Sequence, residues 1–109
     1  MKRIVVIGAL ATALAAALPA VAATPVFKGT VGPGFTISMV SKPKVAGLTK
    51  IVINDKANNH NFHLTGPGVN VKTSVSAIGT KAFIVRLKKG TYKFVCDPHL
   101  FMKGSFTIR

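Results

Sequence analysis

Apolar and polar positions alternate with period two along most of the chain. Phe35, Ile37 and Met39 are separated by Thr36 and Ser38. Ile51 and Ile53 lie between Lys50 and Asn54, with Val52 on the opposite parity. His60, Phe62 and Leu64 share one parity, while Asn61, His63 and Thr65 share the other. The pattern returns in Phe83, Val85 and Leu87, in Tyr92, Phe94 and Cys96, and in Phe106 and Ile108. Successive strand residues point to opposite faces, so this alternation of β-branched and aromatic residues predicts half-buried antiparallel strands. Turn signals separate them: Gly32-Pro33-Gly34, Lys42-Pro43-Lys44, Asn58-Asn59, Gly66-Pro67-Gly68 and Lys89-Gly90. Short strands at such spacing predict an all-β fold, a small β-sandwich or barrel. No amphipathic helix of useful length, internal repeat or linker is visible, and residues 73–80 show no clear pattern.

The first segment reads as an address. Lys2 and Arg3 precede an uncharged run, Ile4 to Leu18, in which only Thr12 is polar. Pro19 ends the run, and Ala20-Val21-Ala22-Ala23 follows. A basic start, an apolar middle and small residues at the cut predict a helical signal peptide at residues 1–23. Its apolar run falls short of the roughly 20 residues a membrane-spanning helix needs. The mature domain is expected at residues 24–109, in the periplasm or secreted.

Composition narrows the chemistry. The chain holds 15 Lys and Arg against 2 Asp and Glu, and cleavage after Ala23 lowers the formal charge from +13 to +11. An apolar fraction of 49% is too high for a disordered polycation. One cysteine excludes an internal disulfide framework and zinc modules built on two or four cysteines. Asp55 and Asp97 are the only acidic residues, which leaves little for paired-carboxylate catalysis.

Chemistry concentrates between Gly90 and Met102. Cys96, His99 and Met102 are each separated by two residues, on an expected loop between a strand Tyr92–Cys96 and a strand Ser105–Arg109. Soft sulfur ligands with imidazole favour copper over magnesium, calcium or manganese. The missing second imidazole is expected from His60, whose parity matches Phe62 and Leu64 as that of Cys96 matches Tyr92 and Phe94. His63 points the other way. The expected metal ligands are therefore His60, Cys96, His99 and Met102. Two His and one Cys with a weak axial Met define a blue-copper electron-transfer centre. Pro98 has no backbone N–H to donate to the Cys96 sulfur, which leaves electron density there and favours Cu(II).

With Gly90-Thr91-Tyr92, Phe94, Cys96, Pro98-His99, Met102 and His60-Asn61, the chain resembles the cupredoxin family, in particular its small plastocyanin-, pseudoazurin- and amicyanin-like members. The two-residue gap between His99 and Met102 is similar to the short loop of amicyanins. The resemblance spans about residues 30–109. It implies a Greek-key β-sandwich, one copper ion cycling between Cu(I) and Cu(II) in a type 1 site, and a role for Asn61 in tying the His60 strand to the ligand loop. It also implies a soluble single-electron carrier that is not an enzyme. The alternative is a periplasmic copper carrier or sequestration protein using the same site. Scattered methionines disfavour sequestration.

The basic surface is expected to steer the carrier to acidic redox protein partners. Loose attraction to an anionic membrane surface is the weaker expectation. Nucleic acid is not expected as a partner, because the chain is exported and carries no such motif. A monomer is expected.

Overall fold

The computed structural model describes residues 22–109, so all but the last two residues of the expected signal peptide lie outside the described residues. The alternating pattern becomes eight strands: β1 (Val26–Val31), β2 (Ile37–Met39), β3 (Gly47–Asp55), β4 (His63–Gly66), β5 (Val69–Lys72), β6 (Gly79–Leu87), β7 (Gly90–Cys96) and β8 (His99–Ile108). They form two four-stranded sheets, in the orders β2-β1-β3-β6 and β5-β4-β7-β8. Among the described residues there is no helix. The architecture is the expected all-β sandwich.

Inward-facing residues of both sheets make one core. Val31, Ile51, Ile53, Leu87 and Ile108 are buried, with Phe62, Leu64, Tyr92 and Phe94 packed among them. The rings of Phe62 and Phe94 stack at 5.1 Å between centroids, and those of Tyr92 and Phe106 at 5.2 Å. Burying each such side chain stabilises the fold by about 1.5–3 kcal/mol, and this drives the two faces together. Tyr92 also uses its polar end. Its hydroxyl donates to the Pro67 carbonyl at 2.9 Å and accepts from the Lys88 N–H at 2.8 Å. One buried side chain thereby joins the β4–β5 turn to the β6–β7 turn. Gly66 lies flat against the same ring, and a Cβ there would run into it.

Two strands escape the sequence pattern, for different reasons. In β1 the inward position between Phe27 and Val31 is Gly29, which breaks the alternation. A Cβ there would meet Ile53 at 2.8 Å, so the missing side chain is a packing requirement. β5 is too short to show a period. The pairing is also not wholly antiparallel: β1 runs parallel to β3, with Gly29 opposite Ile53 and Val31 opposite Asp55. The β1–β2 hairpin places β2 on one side of β1, and β3 then enters on the other side in the direction of β1.

Three connections meet at one end of the sandwich. The segment after β1, the segment after β3 and the β7–β8 turn all gather there. The first two are laced together by Lys56 N–H donating to the Val31 carbonyl at 2.9 Å.

Candidate metal centre

The β7–β8 connection is tighter than its sequence suggests. Cys96 pairs with His99 across a two-residue turn, Asp97-Pro98, and β8 already begins at His99. The expected ligand loop is therefore mostly strand. Between the pairs Cys96–His99 and Val95–Lys103, residues Leu100 to Met102 have no partner on β7. This bulge sits next to the ligands and re-aims the side chains around it, as bulges beside functional sites do. His60 comes from the other side, three residues before β4, so it lies on a connecting segment and not on a strand. Its inward parity with Phe62 and Leu64 holds, although Asn61 between them is buried too.

The site brings three of the four expected ligand side chains to one point. His60 Nδ1 and His99 Nδ1 are 3.0 Å apart. Cys96 Sγ lies 3.7 Å from the first and 3.6 Å from the second. The point equidistant from the three atoms is roughly 2 Å from each, close to the ~2.0–2.3 Å that imidazole nitrogen and thiolate sulfur make to a first-row metal ion. His60 Nε2–H donates to the Gly34 carbonyl at 2.8 Å. That bond fixes the tautomer and leaves the Nδ1 lone pair aimed at the cluster. Cys96 and His60 are buried and His99 is half-buried, so water meets the cluster through the His99 ring. The donor set and its spacing fit copper. Met102, the fourth expected ligand, is buried in the adjoining bulge.

A polar lattice holds the two ligand-bearing segments in register. The Asp97 N–H donates to Asn61 Oδ1 at 2.7 Å. Asn61 Nδ2 donates to Asp97 Oδ2 at 2.8 Å and to the Thr73 carbonyl at 3.3 Å. The residue after His60 is thus bonded twice to the residue after Cys96. Phe62 N–H donates to Thr73 Oγ1 at 2.8 Å, and Thr73 N–H to the Phe62 carbonyl at 2.9 Å.

His63 stands outside the cluster, as its parity predicts. Its Nδ1 meets Asp97 Oδ1 at 2.8 Å and its Nε2 meets Asn70 Oδ1 at 2.7 Å. The Asp97 bond, then the Asn70 bond, raise the His63 ring above the ordinary histidine value, against its partial burial and Lys72. For Asp97, burial pushes upward, but the bonds from His63 and Asn61 outweigh it and hold the carboxyl below its usual value. Asp55, at the end of β3, accepts the Ala57 N–H on Oδ1 at 3.0 Å and so shapes the approach to His60. Its Oδ2 is buried without a hydrogen-bond partner. Burial raises this carboxyl, against the Ala57 bond and the nearby His60 ring, which lower it.

Phe35 belongs to the site, although its alternation with Ile37 and Met39 assigns it to a strand. The strand begins only at Ile37, and the Phe35 side chain is 60% exposed. Gly32 and Gly34, at φ 71° and 70°, form the sharp turn that delivers it. The ring centroid lies 5.5 Å from that of His60, 5.1 Å from that of His99 and 5.6 Å from that of Phe101. The same turn therefore orients His60 through a carbonyl and covers both imidazoles with an aromatic ring. A Gly-Pro-Gly-aromatic run ahead of a strand was the available signal.

A rigid β-sandwich with a buried Cys and two converging His at one pole defines a copper-binding electron-transfer protein. The family of copper binding proteins, plastocyanin/azurin family, matches residues 30–109. The chain belongs to that family. Its cofactor is one copper ion in a type 1 site, and His60, Cys96 and His99 make the arrangement that receives it. Among solved structures it is similar to reduced rusticyanin, at 20% identity over 79% of each chain with a TM-score of 0.61. It is also similar to amicyanin from Paracoccus versutus, at 18% identity over 87% of this chain and 88% of the other, with a TM-score of 0.52. At these identities the likeness concerns the fold. No curated protein matches the sequence.

Proposed function

We propose that the protein is an exported, soluble single-electron carrier that passes electrons between protein partners and performs no catalysis of its own. The observation that carries this reading is the triangle of His60 Nδ1, His99 Nδ1 and Cys96 Sγ, with edges of 3.0, 3.6 and 3.7 Å. When bound there, copper supplies a one-electron Cu(I)/Cu(II) couple. The chain supplies rigidity. Cys96 and His99 are paired across a two-residue turn, and His60 is pinned by the Gly34 carbonyl. Ligands that hardly move between oxidation states keep the reorganisation on electron transfer small. Met102, from its place in the β8 bulge and its burial, would be the fourth residue to hold the ion.

His99 is assigned as the electron port. It is the half-buried member of the set, and Phe35, Leu100 and Phe101 expose apolar surface around it. Such a patch suits brief docking and rapid release. The excess of lysine steers acidic redox proteins toward it. The basic-apolar-small order of residues 1–23 supports export to the periplasm or beyond.

The test is addition of Cu(II) to the purified protein. An intense visible thiolate-to-copper band with reversible one-electron voltammetry is expected, and Cys96→Ser abolishes the band. Tight Cu(I) binding without the band would point instead to copper delivery.

A further inference from the structure

The two sheets present outer faces of different character. On the β5-β4-β7-β8 sheet the outward-facing pairs include Thr91–Thr107, Lys93–Ser105, Thr65–Lys93, Thr65–Asn70, His63–Lys72 and Val95–Lys103. The one aliphatic member of these pairs is the half-buried Val95, so this face is chiefly hydroxyl, lysine and other polar groups. On the β2-β1-β3-β6 sheet each outward basic residue instead stands beside aliphatic side chains. Lys50 lies between Val26 and Ile84, Lys28 is opposite Val52, and Leu48 is opposite Arg86. Val26, Leu48 and Ile84 are 49%, 44% and 61% exposed. No acidic residue offsets this charge, because Asp55 is buried and Asp97 lies at the metal end in contact with His63 and Asn61. Val26, Leu48 and Arg86 sit at the ends of their strands remote from Val31 and Asp55, so the face lies away from the metal end.

An exposed aliphatic row interleaved with uncompensated cations needs an anionic partner that also accepts apolar side chains. A second copy of this chain does not fit, because face-to-face pairing would bring Lys28, Lys50 and Arg86 against like charges. A folded protein partner fits poorly. Such interfaces concentrate aromatic residues and exclude lysine, whereas this face holds two lysines and no aromatic side chain. A fluid headgroup layer asks for no shape complementarity. It takes short aliphatic side chains at its acyl boundary and lysine or arginine at its phosphates.

We propose that the outer face of β1, β3 and β6 docks the protein on a bilayer surface carrying anionic phospholipids. The metal end is left turned away from the lipid and free for a redox partner. Electron carriage then proceeds by movement along a membrane surface. The docking itself does not depend on the copper reading, since none of its residues touches the cluster.

The experiment measures co-sedimentation of the copper-loaded protein lacking residues 1–23 with lipid vesicles. All eight strands lie within Val26–Ile108, so this protein keeps the whole sandwich. Vesicles of equal parts phosphatidylglycerol and phosphatidylcholine are compared with phosphatidylcholine alone. Binding to the anionic vesicles only is expected, and it weakens as salt rises.

Each cation brought to an anionic surface strengthens partitioning by about fivefold. The triple variant Lys28→Gln/Lys50→Gln/Arg86→Gln therefore loses on the order of a hundredfold. Lys72→Gln/Lys93→Gln/Lys103→Gln removes the same charge from the opposite sheet and loses far less. Ile84→Ser weakens binding several-fold with no change of charge. Retention of the visible copper band shows that each variant is folded.

Equal loss from the two triple variants would overturn the proposal in favour of diffuse attraction. No effect of Ile84→Ser would remove the apolar contact on which it rests. A salt-resistant dimer abolished by Ile84→Ser would make a second copy the occupant. Binding to an acidic protein through Lys28, Lys50 and Arg86, without binding to vesicles, would replace the lipid.

Discussion

Phe35 shows how one residue can serve a site it does not ligate. Its ring shields the outer edges of both imidazoles. Water that reached them would favour the more highly charged, oxidised site. Phe35→Ala is accordingly expected to lower the reduction potential by tens of millivolts, while Phe35→Tyr keeps it near wild type; protein-film voltammetry reads both. His63 acts at one remove, by holding Asp97 and so the segment after Cys96. Its raised pKa means that its stabilisation is complete below the unfolded histidine value of about 6.5 and is lost as pH rises through the higher folded value. The melting temperature of wild type is expected to exceed that of His63→Gln at about pH 6, with the gap narrowing toward about pH 9. A constant gap across that range would show that the pairing is not linked to the proton. Cys96, His99 and His60 were legible in the sequence from ligand chemistry and parity. Phe35 was not, because its partners lie 25 and 64 positions away and its alternation with Ile37 mimics a strand.

At the scale of elements, the tie made by Tyr92 matters as much as its bulk. Its hydroxyl serves two turns that carry no ligand yet hold β4 and β7 side by side. Tyr92→Phe removes both part-buried bonds, to the Lys88 N–H and the Pro67 carbonyl, each contributing about 0.5–1.5 kcal/mol. Chemical denaturation is expected to show a loss of about 1–3 kcal/mol with the visible copper band unchanged, because the ring still fills the core. The strands the sequence announced, β2, β3, β4, β6, β7 and β8, each have at least two large apolar side chains at successive same-face positions in or next to the strand. β1 was hidden by Gly29, whose lack of a side chain is itself dictated by Ile53. Where β8 begins was equally hidden. The Cys96–His99 pairing depends on a turn and a bulge that hydrogen-bond across strands, and neither leaves a period in the sequence.

For the whole molecule, charge and shape divide the work. The cluster lies at one pole, apolar residues surround its half-buried imidazole, and lysines are spread over both sheets. Electron transfer to an acidic partner is expected to slow steeply between about 10 and 200 mM salt as the Debye length shrinks from about 30 Å to below 10 Å. Stopped-flow rates that ignore ionic strength would exclude electrostatic steering. The chain by itself determined the class of fold, the sign of the surface and the chemistry of the ion, because each follows from residue type and period alone. Tertiary structure decided which segment covers the imidazoles, how short the ligand turn is and that one sheet sets exposed aliphatic side chains beside its cations. Those depend on distances between residues far apart in sequence, and strand pairing alone sets them.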